Sequence, residues 1–103
     1  MLNSKQRAKL KSIAVNLDAL YQMGKYEIDE NYIIQISKAL DAKEIIKIKV
    51  LDNSLYTANE AGQILAEATD SEVVHTIGSK VVLYRKSRKK EKREISAIIE
   101  NIR

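Results

Sequence analysis

The sequence contains no cysteine, proline, phenylalanine or tryptophan, and its 103 residues include only three glycines and one histidine. Without cysteine there is neither a disulfide framework nor a thiolate metal site. A single histidine, His75, cannot make a zinc site, which needs three or four ligands. It lies in a predicted strand, where alternation places it with Val73 and Ile77 or at the edge of their face. We therefore expect a structural or surface histidine, no metal and no cofactor.

Long apolar runs are also absent. No run approaches the roughly 18 residues of a membrane span, and the N-terminus has no apolar segment typical of a signal peptide. No Walker-type loop or nucleophile elbow is present either. The apolar fraction of 45% and the charged fraction of 31% are typical of a soluble globular domain. We expect a cytoplasmic binding protein rather than an enzyme, with no catalytic residue and no membrane contact.

The charge is unevenly distributed. The net charge is +4 for the whole chain, with −1 in residues 1–84 and +5 in residues 85–103. Residues 1–17 nevertheless contain Lys5, Arg7, Lys9 and Lys11 and no acid. Two basic ends around an acidic middle favour a nucleic-acid partner, although a solvated surface would also explain the charges.

Apolar periodicity predicts three helices that begin near residues 4, 30 and 58, and four strands over residues 19–23, 44–51, 72–77 and 81–85. The first helix should run to about Leu17, and the last two strands should form a hairpin at Gly78 and Ser79. The α-β-α-β-α-β-β order predicts a single small α/β domain with a four-stranded mixed sheet packed with helices. The predicted buried helix faces are Leu10, Ile13, Ala14 and Leu17; Ile33, Ile36 and Leu40; and Ala58, Ala61, Ile64, Leu65 and Ala68.

The C-terminal stretch has a different character. Residues 85–93 contain no apolar side chain and cannot bury themselves. A short helical stripe of Ile95, Ile98, Ile99 and Ile102 follows, and a helix this short must dock, dimerise, bind a partner or stay frayed. We divide the chain into a domain over residues 1–86 and a basic tail over residues 87–103. An alternative function is a protein-interaction module that docks through the isoleucine stripe.

Six segments in register carry a family resemblance, namely residues 2–8, 22–25, 39–40, 44–51, 65–69 and 77–85. Over residues 2–86 the chain resembles the stand-alone bacterial proteins of the CRM family, named for chloroplast RNA splicing and ribosome maturation. The resemblance implies a fold like the C-terminal domain of bacterial translation initiation factor three. It also implies an RNA-binding protein that associates with precursors of the large ribosomal subunit and acts in its assembly.

The loop after the first predicted strand reads Gly24-Lys25-Tyr26-Glu27. In the family this loop usually reads Gly-Lys-x-Gly and is likened to the loop with which KH domains clamp a nucleic-acid backbone. Gly24 and Lys25 match that pattern, whereas Glu27 replaces the second glycine and adds a negative charge. We therefore predict a weakened phosphate-binding turn. Tyr26 either contacts RNA or covers the start of the following helix.

The predicted RNA-binding residues are Lys5, Arg7, Lys9, Lys11, Gly24, Lys25 and Tyr26. A secondary set consists of Lys47, Lys49, Arg85, Lys86, Arg88, Lys89 and Lys90. Lys47 and Lys49 could equally be a solvated strand face, and the tail could be a disordered solubilising end. We expect a monomer whose partner is RNA, with ribosomal RNA of the large-subunit precursor as the specific expectation.

Overall fold

The computed structural model describes residues 2–24 and 28–102. The helices are α1 (Ser4–Ala14), α2 (Glu30–Lys43), α3 (Ala58–Thr69) and α4 (Glu94–Glu100), with a 3₁₀ turn at Lys90–Lys92. The strands are β1 (Tyr21–Met23), β2 (Ile45–Val50), β3 (Glu72–Ile77) and β4 (Lys80–Tyr84). The predicted order of elements is confirmed, and α4 follows it.

The four strands form one mixed sheet in the order β1-β2-β4-β3. β1 pairs with β2 in parallel through the α2 crossover, while β4 pairs antiparallel with both β2 and β3. The β3–β4 hairpin turns at Gly78, whose φ of 56° lies in the left-handed region that glycine adopts without strain. The predicted small α/β fold with a mixed sheet is confirmed.

The helix starts follow the capping residues. Asn3, Asp29 and Thr57 each accept a backbone N–H of the first turn through the side chain, which satisfies one of the donors left free there. The end of α1 was predicted too late, at about Leu17. The helix ends at Ala14, and the amides of Asn16 and Leu17 donate to Ile13 and Ala14 in tighter turns. These turns carry the chain towards β1.

Helices cover both faces of the sheet. On one face α2 and α3 enclose a first core, built mainly by Met23, Ile36, Leu40, Ile46, Ile48, Val50, Leu65, Val81 and Leu83. On the other face α1 and α4 enclose a second core, built by Leu10, Ala14, Ile45, Val74, Val82, Tyr84 and Ile99. The protein is therefore a three-layer arrangement with the sheet in the middle.

The face that α3 buries differs from the predicted one. Ile64 and Ala68 are exposed, and Gly62, Ala66 and Thr69 are buried together with the predicted Ala58, Ala61 and Leu65. Gly62 sets this orientation, because a Cβ there would lie 2.7 Å from Val81 Cγ2 and 3.4 Å from Val73 Cγ2. Only a glycine lets the helix approach the sheet this closely. In α2, Ile36 and Leu40 are buried as predicted, whereas Ile33 is only half-buried.

A β-bulge in β3 changes the position of the single histidine. The register of β3 against β4 shifts between Val73 and His75. Val73 consequently packs against the first core, while His75 lies opposite Val82 on the face that α1 covers. The alternation that grouped Val73 with His75 was therefore wrong at this point.

The C-terminal segment docks on the rest of the protein, which is one of the four outcomes left open for its isoleucine stripe. Ser87 is only 1% exposed and Ile99 only 2%, and Ile99 belongs to the second core, with Ile95 and Ile102 packed against it. The side-chain amide of Gln6 in α1 donates to the carbonyl of Ile99 at 3.1 Å. Polar bonds, rather than apolar burial, hold the basic stretch between β4 and α4. The division at residues 86 and 87 remains a prediction about domain organisation.

Two acidic residues near the end of α2 supply those bonds. The Glu44 carboxylate is fully buried and accepts from the amides of Ser87 at 2.8 Å and Ser96 at 2.9 Å, and from the Ser96 hydroxyl. Asp41 accepts from the Arg88 amide at 2.9 Å and from its guanidinium at 2.6 and 2.9 Å. Arg85 also pairs with Asp41, at 3.0 Å.

These contacts shift the ionisation of Asp41. The side-chain hydrogen bonds from Arg88, with help from Arg85, hold the pKa of Asp41 far below its usual range. A carboxyl whose pKa is depressed on folding adds stability above its unfolded pKa of about 3.9, and this stability is lost as the pH falls towards the folded value.

We expect Gly62→Ala to destabilise the protein by about 1–2 kcal/mol, because overpacking against Val81 outweighs the better helix propensity of alanine. Urea unfolding monitored by circular dichroism measures the change. Gln63→Ala, at the exposed neighbouring position, is the control and should be close to neutral. A Gly62→Ala variant as stable as the parent would show that the close approach of α3 is not required.

We expect Asp41→Asn to lower the free energy of unfolding at neutral pH by about 3 kcal/mol, because it leaves the poorly exposed Arg85 without its counter-charge. The difference from the parent should shrink as the pH falls below about 4, because the unfolded parent then takes up a proton that the folded Asp41 carboxyl, with its depressed pKa, still resists. Urea titrations over this range measure it, with Asp52→Asn in an exposed turn as the control. A difference that is constant with pH would contradict the assigned role of Asp41.

Candidate nucleic-acid interface

Three connections meet at one edge of the sheet, which we call the loop edge. Because β1 and β2 are parallel, Gly24 after β1 lies beside Leu51 and Asn53 after β2. The hairpin turn joins them, since the Val50 amide donates to the Ser79 carbonyl at 2.7 Å. The loop edge, defined by Gly24, Asn53 and Ser79, is thus a single surface built from segments distant in sequence.

Gly24 is half-buried at this edge, and its φ is not in the left-handed region. Among the described residues, the nearest atoms to a Cβ placed there would be Asn53 Oδ1 and Leu51 Cδ1, each at an ordinary contact distance of 3.7 Å. The described surroundings therefore do not demand glycine for folding. The predicted binding residues Lys25 and Tyr26, and the substituted Glu27, lie outside the described residues.

The exposed side of α1 carries the predicted cationic surface. Lys5, Lys9 and Lys11 are all exposed, and none of their ammonium groups has a hydrogen bond or ion pair within the described part of the chain. Arg7 differs because it is half-buried and donates to the carbonyls of Val73 and Val74. It thereby fastens α1 to β3, and it lies 3.8 Å from Glu72.

The two lysines of β2 have different environments. Lys47 is only 8% exposed, and its ammonium donates to the Leu17 carbonyl at 2.9 Å, so the interpretation of Lys47 as part of a solvated face is wrong. The turn that follows α1 covers this side chain, which the alternation of β2 alone could not indicate. Lys49, one row further along the strand, is exposed.

The basic residues after β4 divide in the same way. Arg85 is held between Asp41, Ser37 and the Thr69 carbonyl, and its side chain is 11% exposed. Arg88 is held by Asp41, and Lys86 pairs with Glu100 at 2.8 Å. Of the five predicted residues in this stretch, Lys89 and Lys90 are the two that are exposed without such a contact within the described residues.

His75 lies near two lysines on the α1 side of the sheet. Burial lowers the pKa of His75, and the charges of Lys11 and Lys47 lower it further. Its Nε2 is buried, and no residue in the described part of the chain forms a hydrogen bond with it. The ring is therefore neutral around physiological pH and acts as a packed side chain.

Two kinds of feature are absent from the described residues. Among residues 2–24 and 28–102, no three acidic, histidine or cysteine side chains converge in a way that could hold a metal ion. Within the same ranges, no helix has the length and apolar character needed to cross a membrane.

Comparison with known proteins gives concordant matches along almost the whole chain. A Bacillus subtilis protein named "Probable RNA-binding protein YqeI" is 38% identical over 95 residues, covering 92% of this chain and 99% of that protein. An "RNA-binding protein" of Haemophilus influenzae is 33% identical over 86 residues, covering 84% and 87%. The solution structure of a hypothetical protein from Staphylococcus aureus superposes with a TM-score of 0.73 at 44% identity, covering 91% and 98%. Because residues 2–85 also match the CRS1 / YhbY (CRM) domain, the chain belongs to that family.

Proposed function

We propose that this protein binds RNA through contacts to the phosphate backbone and acts in the assembly of the large ribosomal subunit, on its precursor ribosomal RNA. The observation that carries the proposal is the exposed cationic side of α1, where Lys5, Lys9 and Lys11 have no internal partner within the described residues. The names of the Bacillus subtilis and Haemophilus influenzae relatives support RNA as the ligand. The assembly role rests on the family resemblance.

Free lysines of this kind favour affinity over sequence readout. Each lysine that neutralises a phosphate releases counterions, so binding depends steeply on salt. Sequence-specific RNA recognition instead uses aromatic side chains that stack on exposed bases. Tyr21, Tyr32 and Tyr56 pack against the first core, and Tyr84 belongs to the second. The described surface therefore favours recognition of RNA shape and backbone.

The loop edge supplies the second part of the proposed interface. Since the described surroundings leave room for a Cβ at Gly24, the glycine there is better explained by close approach of a ligand backbone than by contacts with those surroundings. Lys25 follows directly and would offer its charge to the same phosphate. Glu27 would oppose it, which leaves a larger share of the affinity to α1.

The alternative of a protein-interaction module is less well supported. Three isoleucines of the proposed docking stripe, Ile95, Ile99 and Ile102, pack within or against the second core. Ile98 alone among the four is exposed, at 44%. The stripe is thus occupied by the protein's own core, and removal of residues 87–103 would break that core rather than test a docking surface.

We expect the protein to sediment with large-subunit precursors when cell extract is separated on a gradient at low salt. Raising the salt concentration should move it to the top, because backbone contacts are screened. Detection of the protein in each fraction measures this. A protein that stays at the top at low salt but still binds purified RNA would refute the assembly role while leaving RNA binding in place.

We expect Lys25→Ala to weaken RNA binding and to lower the slope of log K against log salt by about one. Gly24→Ala should also weaken binding but leave the unfolding midpoint unchanged, and Glu27→Gly should tighten binding. Filter binding at several salt concentrations measures the RNA affinity of all three variants, and thermal unfolding measures the midpoint. Lys38→Ala on the exposed side of α2 is the charge-matched control. If all three loop variants bind like the parent, the loop is only a turn.

A further inference from the structure

One row of side chains crosses the sheet next to the loop edge. Gln22 of β1 lies beside Lys49 of β2, Lys49 lies opposite Lys80 of β4, and Lys80 lies opposite Ile77 of β3. Side chains of directly paired residues project from the same face of a sheet. We call these four residues the open row.

The open row is on the face that α1 and α4 cover, but beyond their reach. Ile45 and Val82 point into the second core, and Lys49 and Lys80 follow them at even spacing along their strands. All four members of the row are exposed, including Ile77 at 51%. The face therefore changes from a packed core to an accessible surface within about two rows.

The charges of this row are unfavourable for folding. Lys49 and Lys80 face each other directly across two strands, a pairing of like charges that destabilises a sheet. Neither ammonium has a hydrogen bond or ion pair within the described part of the chain. Lys11 and Lys47 add positive charge on the same side of the sheet, near His75. The nearest acid along β2 is Asp52, in the turn beyond Val50.

We propose that the open row is a second backbone-binding surface, on which Lys49 and Lys80 contact successive phosphates of an RNA strand leaving the loop edge. This inference rests on the proposed RNA-binding function and adds Lys80, which the sequence did not single out. The position of the row next to the loop edge supports this proposal. Gln22, which pairs with Lys49, precedes Gly24 by two residues, and Lys80 directly follows Ser79 of the hairpin turn. Two unpaired lysines on neighbouring strands cost stability, and a role in binding an anion, which would neutralise them, explains why they are there.

The composition of the row also limits what it recognises. It contains no aromatic side chain on which a base could stack, and lysine contacts a phosphate as a point charge. Contacts to phosphates position a nucleic acid without reading its sequence. The open row should therefore bind single-stranded RNA with little dependence on base identity.

The test compares Lys49→Gln/Lys80→Gln with the parent and with Lys38→Gln/Lys43→Gln, which removes the same charge from exposed positions of α2. Binding of oligo(U), oligo(A) and oligo(C) is measured across a salt series. We expect the open-row variant to lose about 1.4 from the slope of log K against log salt, equally for the three oligomers, with little loss in the control. Thermal unfolding should show the open-row variant at least as stable as the parent.

The possible failures separate the two proposals. A parent protein that binds none of the oligomers overturns both the RNA-binding function and the open row. A parent that binds, with an open-row variant indistinguishable from the control, overturns the open row alone. A loss of slope confined to one oligomer overturns the backbone-only recognition and would indicate that Gln22 or Ile77 reads a base.

Discussion

The buried carboxylate of Glu44 is the contact on which the rest of the architecture depends. It lies between α2 and β2, is closed off from solvent, and is bonded by donors of Ser87 and Ser96. A buried charge is tolerated only when hydrogen bonds replace its lost hydration. Ser87 lies in the segment that leads into α4 and Ser96 lies in α4 itself, so satisfying this one group brings α4 onto the sheet and completes the second core. The positive φ of Glu44, 65°, is a backbone strain that this bonding offsets.

The cations divide by chemistry between structure and surface. Arg7, Arg85, Arg88 and Arg93 all bond to carbonyls, hydroxyls or Asp41, as suits a planar group with several directed donors. Most of the described lysines, by contrast, are exposed, with Lys47 and Lys86 engaged internally. Net charge alone hides this division. The positive surface available to a polyanion is therefore smaller than the sequence suggests, and it consists of lysines on α1, in the open row, on α2 and around the 3₁₀ turn.

The order of elements, the helix caps and the mixed sheet could be predicted because they depend on local patterns of apolar spacing and capping residues. Three features could not. The approach of α3 depends on the absence of one Cβ at Gly62, and the bulge in β3 depends on pairing with β4. The docking of residues 87–102 depends on Asp41 and Glu44, which are 43 to 52 residues away in sequence from the groups they bond and look like ordinary helix and strand ends. The role proposed for Lys80 likewise depends on its pairing with Lys49, which the sequence alone does not reveal.

The contact between Gln6 and Ile99 joins α1 to α4, 93 residues apart in sequence. The residues of the first core all precede α4 in the sequence, whereas the second core includes Ile99 of α4. The apolar side of α1 therefore has no partner helix until α4 has been synthesised, and contacts of such long range are slow to form. The arrival of α4 decides when the second core is complete.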